Sequence, residues 1–137
     1  MIYDLEELTL MSLSFPKGTR LILLSPEGGE DNELAPPAGT RGVSLGVDEY
    51  GLLHVKWDTG VKYNLSVGKD RFDVHPFSII FENRMKTWIN VEDAIKYYTN
   101  IYENKAGNSS KQRKNELKGI ISGLKGDFSL FSQNKVR

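Results

Sequence analysis

Apolar and polar residues alternate through the middle of the chain, which is the pattern of strands that bury one face. Over residues 52–57, Leu53, Val55 and Trp57 occupy every second position. The preceding run, 43–47, alternates in the same way, with valine and leucine at its odd-numbered positions. The pattern predicts two neighbouring strands with these residues on their buried faces.

Short turns separate the apolar runs at nearly even spacing. Residues 48–51 and 58–60 each end in a glycine, which supplies the positive φ that a tight hairpin turn requires. Five such runs are too few for a β-sandwich, and they predict a small five-stranded antiparallel barrel of the Src-homology-3 type. Its expected core consists of Leu21, Leu23, Val47, Val55, Trp57, Leu65 and Phe72.

The N-terminal part predicts a helix, a strand and a long loop. The run 20–24 is apolar at almost every position, so we expect it to be a strand buried on both faces. Residues 25–38 contain three prolines and two glycines, which indicate a loop. The helix is predicted at 2–13, with an apolar stripe of Ile2, Leu5, Leu8 and Leu13.

After residues 77–81 the period of the apolar positions changes from 2 to 3.6, which predicts helices. Asn90 is suited to cap the first of them, and Ser109 or Ser110 the second. The predicted class is α+β and mainly β: a five-stranded barrel followed by a helical hairpin. The expected domains are an N-terminal helix at 1–15, the barrel at 16–76, and a helical region at 77–137 with a basic last helix.

Composition narrows the possible chemistry. The chain has no cysteine, which excludes disulfides, thiolate nucleophiles and cysteine zinc sites, and only two histidines, His54 and His75. We therefore expect no metal and no cofactor. No window reaches the ~18 apolar residues of a membrane span, and the first residues are acidic where a signal peptide is basic. These features predict a protein of the cytoplasm, without membrane contact.

The net charge of zero conceals an uneven distribution. Residues 1–104 hold 10 Lys/Arg and 16 Asp/Glu, whereas residues 105–137 hold 8 Lys/Arg and 2 Asp/Glu. Such a division suggests two surfaces with different partners, or a solvated acidic body with a basic tail.

Three motifs suggest catalysis, but each has a simpler interpretation. Gly42-Val43-Ser44-Leu45-Gly46 matches a hydrolase nucleophile motif, which requires a strand-to-helix turn on a parallel sheet. Inside a strand, its glycines serve curvature or close packing instead. His54 is flanked by acids but lacks a third ligand, and Gly68-Lys69-Asp70 lacks the other residues of a phosphate loop. We predict no catalytic residue and no chemical role for Ser44, His54 or His75.

A further set of positions lies at fixed spacing: Pro36, Pro37, Gly39, Thr40, Gly42, Val47, Asp48, Gly51, His54, Val55, Trp57, Asp58, Gly60, Leu65, Gly68, Asp70 and Phe72. With these positions the chain resembles the small domain catalogued as domain of unknown function 4314, over about residues 16–75. That family is typical of phages and conjugative elements of Gram-positive bacteria and has no assigned reaction, so the resemblance implies a barrel and a mobile-element origin. The chain departs from the pattern at Tyr63, where an aliphatic residue is commoner.

Three functions fit these features. In the first, the protein is a non-enzymatic inhibitor that binds a host nucleic-acid-processing protein, such as a CRISPR or restriction nuclease, in the host bacterial cell. In the second, the basic last helix binds DNA or RNA directly. In the third, the chain is a structural module of a mobile-element complex. The expected protein-binding residues are Glu27, Glu30, Asp31 and Glu33, and the expected nucleic-acid-binding residues are Lys111, Arg113, Lys114 and Lys118.

Overall fold

The structure is a computed structural model that describes residues 4–105 and 110–126. It divides into two compact units, up to His75 and from Pro76. The first contains helix α1 (Leu5–Ser14) and strands β1 (Arg20–Ser25), β2 (Arg41–Val47), β3 (Leu52–Trp57), β4 (Leu65–Ser66) and β5 (Arg71–Val74). The second contains strands β6 (Phe77–Phe81) and β7 (Arg84–Trp88) and helices α2 (Val91–Lys105) and α3 (Lys111–Lys125).

The five strands of the first unit form one antiparallel sheet in the order β4-β3-β2-β1-β5. The predicted α+β class and the five antiparallel strands are therefore confirmed. The predicted barrel is not closed, because β4 and β5 form the two edges of the sheet. At two residues, β4 is too short to form an extended ladder with β5.

Strand β2 turns a different face inward from the one predicted. Gly42 and Ser44 are buried, whereas Leu45 is 49% exposed. A β-bulge explains the difference: Ser44 pairs with Val55 and Gly46 with His54, so Leu45 is an extra residue that reverses the alternation. A Cβ on Gly42 would lie 2.6 Å from Val55 Cγ1, which confirms that this glycine serves close packing.

The core of the first unit lies on one face of this sheet and is nearly the predicted one. Val47 and Phe72 are only partly buried and pack against it. Leu24 is 45% exposed, so β1 is not buried on both faces as predicted. Trp57 is 2% exposed, and its indole N–H donates to the Tyr63 carbonyl at 2.7 Å. The buried cluster consists of Leu21, Leu23, Leu53, Val55, Trp57 and Leu65.

An ion pair with one fully buried partner ties β1 to the turn after β3. The guanidinium of Arg20, 0% exposed, donates to both carboxylate oxygens of Asp58 at 2.8 and 2.7 Å. The two-point geometry helps to offset the cost of removing this charge from water. The apolar pattern of the first strand gave no sign of this interaction.

Helix α1 begins at a capping box, in which the Asp4 carboxylate accepts from the Glu7 amide at 2.8 Å. The predicted apolar stripe is not buried: Leu5 is 80% and Leu13 73% exposed, and only Leu8 is half-buried. Ile2 lies outside the described residues. The residue after the helix, Phe15, contacts the Phe72 ring with centroids 5.1 Å apart.

The second unit contains a β-hairpin where only helices were predicted. Strands β6 and β7 pair through a two-residue turn at Glu82 and Asn83, whose φ values are 53° and 63°. Two residues with positive φ form the turn that suits the twist of a hairpin. The prediction failed because β7, Arg84–Trp88, is mostly exposed and lacks alternating apolar residues.

Both predicted C-terminal helices are present. Asn90 Oδ1 accepts from the Asp93 amide at 3.1 Å and caps α2, while Ser110 Oγ accepts from the Arg113 amide at 3.1 Å and caps α3. The two helices pack against each other, with the buried residues Val91, Ala94, Tyr98, Leu117, Ile120 and Leu124. Ser109, the other predicted cap of this helix, lies outside the described residues.

We expect Trp57→Ala to lower the free energy of unfolding by about 3–5 kcal/mol, because it leaves a large cavity in a closely packed core. Urea denaturation followed by far-UV circular dichroism measures the change. Lys56→Ala, at the exposed neighbouring position, is the matched control and should change the stability by less than about 0.5 kcal/mol. Equal stabilities of the two variants would contradict the assigned core.

Candidate protein-binding surface and the residues that hold it

The loop between β1 and β2 is held in place by one buried carboxylate. Asp70, 5% exposed, lies just before β5. Its Oδ1 accepts from the Glu27 amide at 2.7 Å and from the Tyr63 hydroxyl at 2.8 Å, and its Oδ2 accepts from the Ser66 amide at 2.7 Å. One donor from the loop after β1 and two from residues 63–66 therefore meet at one side chain.

Tyr63 and Asn32 extend these contacts to the far end of the loop. Asn32 Nδ2 donates to the Tyr63 hydroxyl at 3.1 Å and to the Glu27 carbonyl at 2.9 Å. Asn32 Oδ1 accepts from the amides of Leu34 and Ala35. Burial and the hydrogen bond to Asp70 raise the pKa of Tyr63 to about 12, so its hydroxyl keeps its proton at neutral pH. We call Asp70, Tyr63 and Asn32 the Asp70 network.

The predicted protein-binding residues lie on the outside of this loop. Glu27, Glu30, Asp31 and Glu33 are all exposed or half-exposed. Within residues 4–105 and 110–126, their carboxylates form no ion pair and no side-chain hydrogen bond. The structure therefore places four negative charges on a loop whose backbone is held by the Asp70 network. We call these four residues the acidic loop.

A groove of about 610 Å³ lies beside the acidic loop. Its walls include the exposed Leu24 and Pro37, the buried Pro36 and the acidic Glu30. Leu34, in the same loop, is 79% exposed. The surface thus combines an apolar groove with negative charge beside it, which resembles the apolar centre and polar rim of a protein interface.

The predicted nucleic-acid-binding residues on α3 have different surroundings. The Arg113 guanidinium donates to both carboxylate oxygens of Glu82, at 2.8 and 3.0 Å, and lies 5.3 Å from the centroid of the Phe81 ring. Arg113 therefore fastens α3 to the β6–β7 turn. Lys118 Nζ lies 5.9 Å from the centroid of the Tyr102 ring. The side chains of Lys111 and Lys114 form no ion pair among the described residues.

Ser44, His54 and His75 form hydrogen bonds that hold the first unit together, the first two through their side chains and His75 through its backbone amide. Ser44 is fully buried inside β2, where its Oγ donates to the Phe15 carbonyl at 3.0 Å. There is no strand-to-helix turn at this serine, so the motif is not a nucleophile elbow. His75 follows β5, and its amide donates to the Arg20 carbonyl at 2.7 Å.

His54 pairs with Asp48 across the β2–β3 hairpin, with His54 Nε2 and Asp48 Oδ2 2.7 Å apart. Burial raises the pKa of Asp48, but the hydrogen bonds from His54 and from the amides of Leu52 and Tyr50 outweigh it. The pKa of this carboxyl therefore lies below its ordinary value. Asp48 thereby fixes the turn that the sequence predicted.

Two kinds of feature are absent from the described ranges. Among residues 4–105 and 110–126, no three or more histidine or acidic side chains are close enough to hold a metal ion. In the same part of the chain, no helix has the length and apolar character needed to span a bilayer.

Sequence reasoning missed the Asp70 network. Asp70 was noticed only as a position of the family pattern and as the end of an incomplete phosphate motif. The usable signal was Tyr63, which replaces the commoner aliphatic residue: a buried tyrosine requires a partner for its hydroxyl. That requirement indicates a polar group in the interior but does not identify Asp70 as that group.

Comparison with known proteins gives one positive result. The model of the family described as Domain of unknown function (DUF4314) matches residues 4–75. The match includes α1, so the family extends further towards the N-terminus than the expected residues 16–75. No curated protein matches the chain, and no solved structure does.

We expect Asp70→Ala to lower the free energy of unfolding by at least about 2 kcal/mol, because it removes a buried acceptor and leaves three donors without a partner. Tyr63→Phe removes only one donor and should cost about 1 kcal/mol. Urea denaturation measures both, with Asp31→Ala as the control that removes an acid from the loop surface. A value for Asp70→Ala equal to that of the control would show that the Asp70 network does not stabilise the fold.

Proposed function

The chain belongs to the DUF4314 family, which its residues 4–75 match, and from that premise we propose that it is a non-enzymatic accessory protein of a phage or conjugative element. In this proposal it binds and inhibits a host nucleic-acid-processing protein, of the kind targeted by anti-CRISPR or anti-restriction proteins. Its place of action is the cytoplasm of the host bacterium, where such targets work. The mobile-element origin rests on the family resemblance.

The observation that carries this proposal is the acidic loop on its rigid support. Four carboxylates without partners in the described residues face solvent on a backbone fixed by the Asp70 network. Charges held in place accelerate association with an oppositely charged surface and lose little conformational freedom on binding. Nucleic-acid-processing proteins present basic grooves for phosphate, so an acidic surface of fixed shape can compete for such a groove.

The groove beside the loop supports a protein partner rather than a small ion. Leu24, 45% exposed, and the neighbouring prolines give it apolar walls, while Glu30 lies at its side. A partner with a basic surface and an apolar side chain would satisfy both. The first unit as a whole is negative: residues 1–75 hold 7 Lys/Arg and 12 Asp/Glu, a net charge of −5, and most of this excess comes from the acidic loop itself.

The non-enzymatic part of the proposal is supported by what the candidate catalytic side chains do. Ser44 and His54 each form a hydrogen bond that fixes the backbone or a turn of the sheet. Both are thereby accounted for by the fold. Replacement of either by alanine should therefore act through stability rather than through a reaction.

We also propose that the sheet has the strand arrangement of a small barrel of the Src-homology-3 type, left open between β4 and β5. The strand order and the long loop after the first strand support this arrangement. In small barrels that loop is a common docking site for partners. Amide contacts between β3 and β4 and between β1 and β5 in a nuclear Overhauser spectrum would support this open arrangement, and a different strand order would reject it.

Direct binding of nucleic acid by α3 is the second candidate. The observation in its favour is that Lys111 and Lys114 form no ion pair among the described residues. Arg113 does not favour it, since its guanidinium is paired with Glu82.

The proposal predicts that reversing the charge of the acidic loop slows association with the partner. The full chain is used to capture a partner from a host lysate, and the identified nuclease is then purified. Its association rate is measured at about 0.15 M salt with the wild type and with Glu30→Lys/Glu33→Lys. We expect that variant to associate at least about tenfold more slowly, and salt to reduce the difference.

The matched control is Glu6→Lys/Glu49→Lys, which changes the net charge equally at acids outside the loop. It should remain within about threefold of the wild type, because the contact is local. Equal rates for the two double variants would reject the acidic loop as the binding surface. Tight binding to bare nucleic acid, with none to any nuclease, would reject the inhibitor function.

A further inference from the structure

The outer strand of the second unit carries basic and aromatic side chains in a row. Directly opposite residues of an antiparallel pair share a face, and here Arg84, Lys86 and Trp88 lie opposite Phe81, Ile79 and Phe77. The three β6 residues are buried, whereas Arg84 and Lys86 are exposed and Trp88 is half-buried. The β7 row is therefore the solvent-accessible edge of a face whose β6 residues are buried.

Tyr97 from α2 completes this row. Its ring, 42% exposed, lies 5.3 Å from the Trp88 ring, and both rings contact the buried Tyr98. The Lys86 ammonium lies 4.6 Å from the Tyr97 centroid and 5.1 Å from the Trp88 centroid. We call Arg84, Lys86, Trp88 and Tyr97 the basic–aromatic strip.

The charge of the strip is not neutralised within the part of the chain that the structure describes. Neither Arg84 nor Lys86 forms an ion pair there. Arg84 and Tyr97 also border a hollow of about 380 Å³, in which Glu82 is already paired with Arg113. The whole second half is positive: residues 76–137 hold 11 Lys/Arg and 6 Asp/Glu, a net charge of +5.

We propose that the basic–aromatic strip binds single-stranded nucleic acid. Non-specific single-strand sites combine positive side chains for the backbone with aromatic rings on which unpaired bases stack, and the strip has both within one row. A base on the Tyr97 and Trp88 rings replaces the weaker exposed cation–π contact of Lys86. The long flexible side chain of Lys86 then reaches the neighbouring phosphate. Arg84 binds a second phosphate.

This inference does not depend on the proposed function, because the strip and the acidic loop lie in different units. It also differs from the expectation for α3. Bases held in a duplex cannot stack on the rings, so the strip selects unpaired strands, whereas lysines on a helix surface hold phosphates of either form.

The test measures binding of the full chain to fluorescein-labelled fifteen-nucleotide strands, dT15 and rU15, and to a duplex of the same length, by anisotropy. Arg84→Ala/Lys86→Ala should weaken single-strand binding at least about tenfold and reduce the salt slope by about 0.7 for each phosphate that the variant no longer binds. Tyr97→Leu should weaken binding about fivefold with an unchanged slope, because stacking releases no counterions. Tighter binding of rU15 would assign RNA, and tighter binding of dT15 would assign DNA.

Two double variants with the same reduction of charge serve as controls. Lys56→Ala/Lys62→Ala removes two exposed lysines of the first unit, and Lys111→Ala/Lys114→Ala removes two lysines of α3. The inference is overturned if no strand binds or if the duplex binds as tightly as the single strands. It is also overturned if Arg84→Ala/Lys86→Ala binds single strands as tightly as Lys56→Ala/Lys62→Ala does. The same holds if only Lys111→Ala/Lys114→Ala weakens single-strand binding.

Quenching of tryptophan fluorescence gives a second readout, because the chain has only two tryptophans. Trp57 is buried in the first unit, whereas Trp88 lies in the strip. Unlabelled dT15 should quench the emission of the wild type, and Trp88→Phe should abolish that quenching. Quenching that persists in Trp88→Phe would contradict the proposed stacking.

Discussion

The Asp70 carboxylate joins the distant loop after β1 to the residues around β4. Its acceptor oxygens bind the amide of Glu27, 43 residues away, the hydroxyl of Tyr63 and the amide of Ser66. A buried carboxylate is costly unless its hydrogen bonds are made, so removal of any one donor is felt by the others. The loop after β1, the short strand β4 and the start of β5 are positioned together for this reason. The position of the acidic loop therefore depends on the buried Asp70 carboxylate.

Two sets of acids in the first unit differ in what they contact. Asp48, Asp58 and Asp70 are bound to His54, to Arg20 and to the donors of the Asp70 network, and they hold turns and strands together. The acidic loop has no such partner among the described residues, so its charge is left for another molecule. The same division holds in the second unit. Arg113 is paired with Glu82, whereas Arg84 and Lys86 are not paired within the described ranges. The proposed protein-binding surface and the proposed strand-binding strip therefore use different charged side chains of one chain.

The sequence predicted those elements whose own residues determine them. Strand β3 and the helix starts at Asn90 and Ser110 follow from local alternation and capping. Strand β2 was assigned the wrong face because one extra residue, Leu45, is invisible in a pattern of period 2. The β6–β7 hairpin was missed because β7 is stabilised by its partner rather than by its own apolar residues. The positions of the acidic loop and of α3 could be predicted, but the Asp70 network could not, since its donors meet only in the folded chain.

The most direct test of this account is native-state hydrogen exchange at the Glu27 amide, which donates to Asp70 from the loop itself. If the Asp70 network holds the loop, this amide should exchange as slowly as the core amides of β1 and β3, because its exchange then requires unfolding of the whole unit. In Asp70→Ala it should exchange faster by orders of magnitude, while amides of the distant β2–β3 turn change much less. A Glu27 amide that exchanges rapidly in the wild type would show that the loop opens on its own, and would contradict a rigidly presented binding surface.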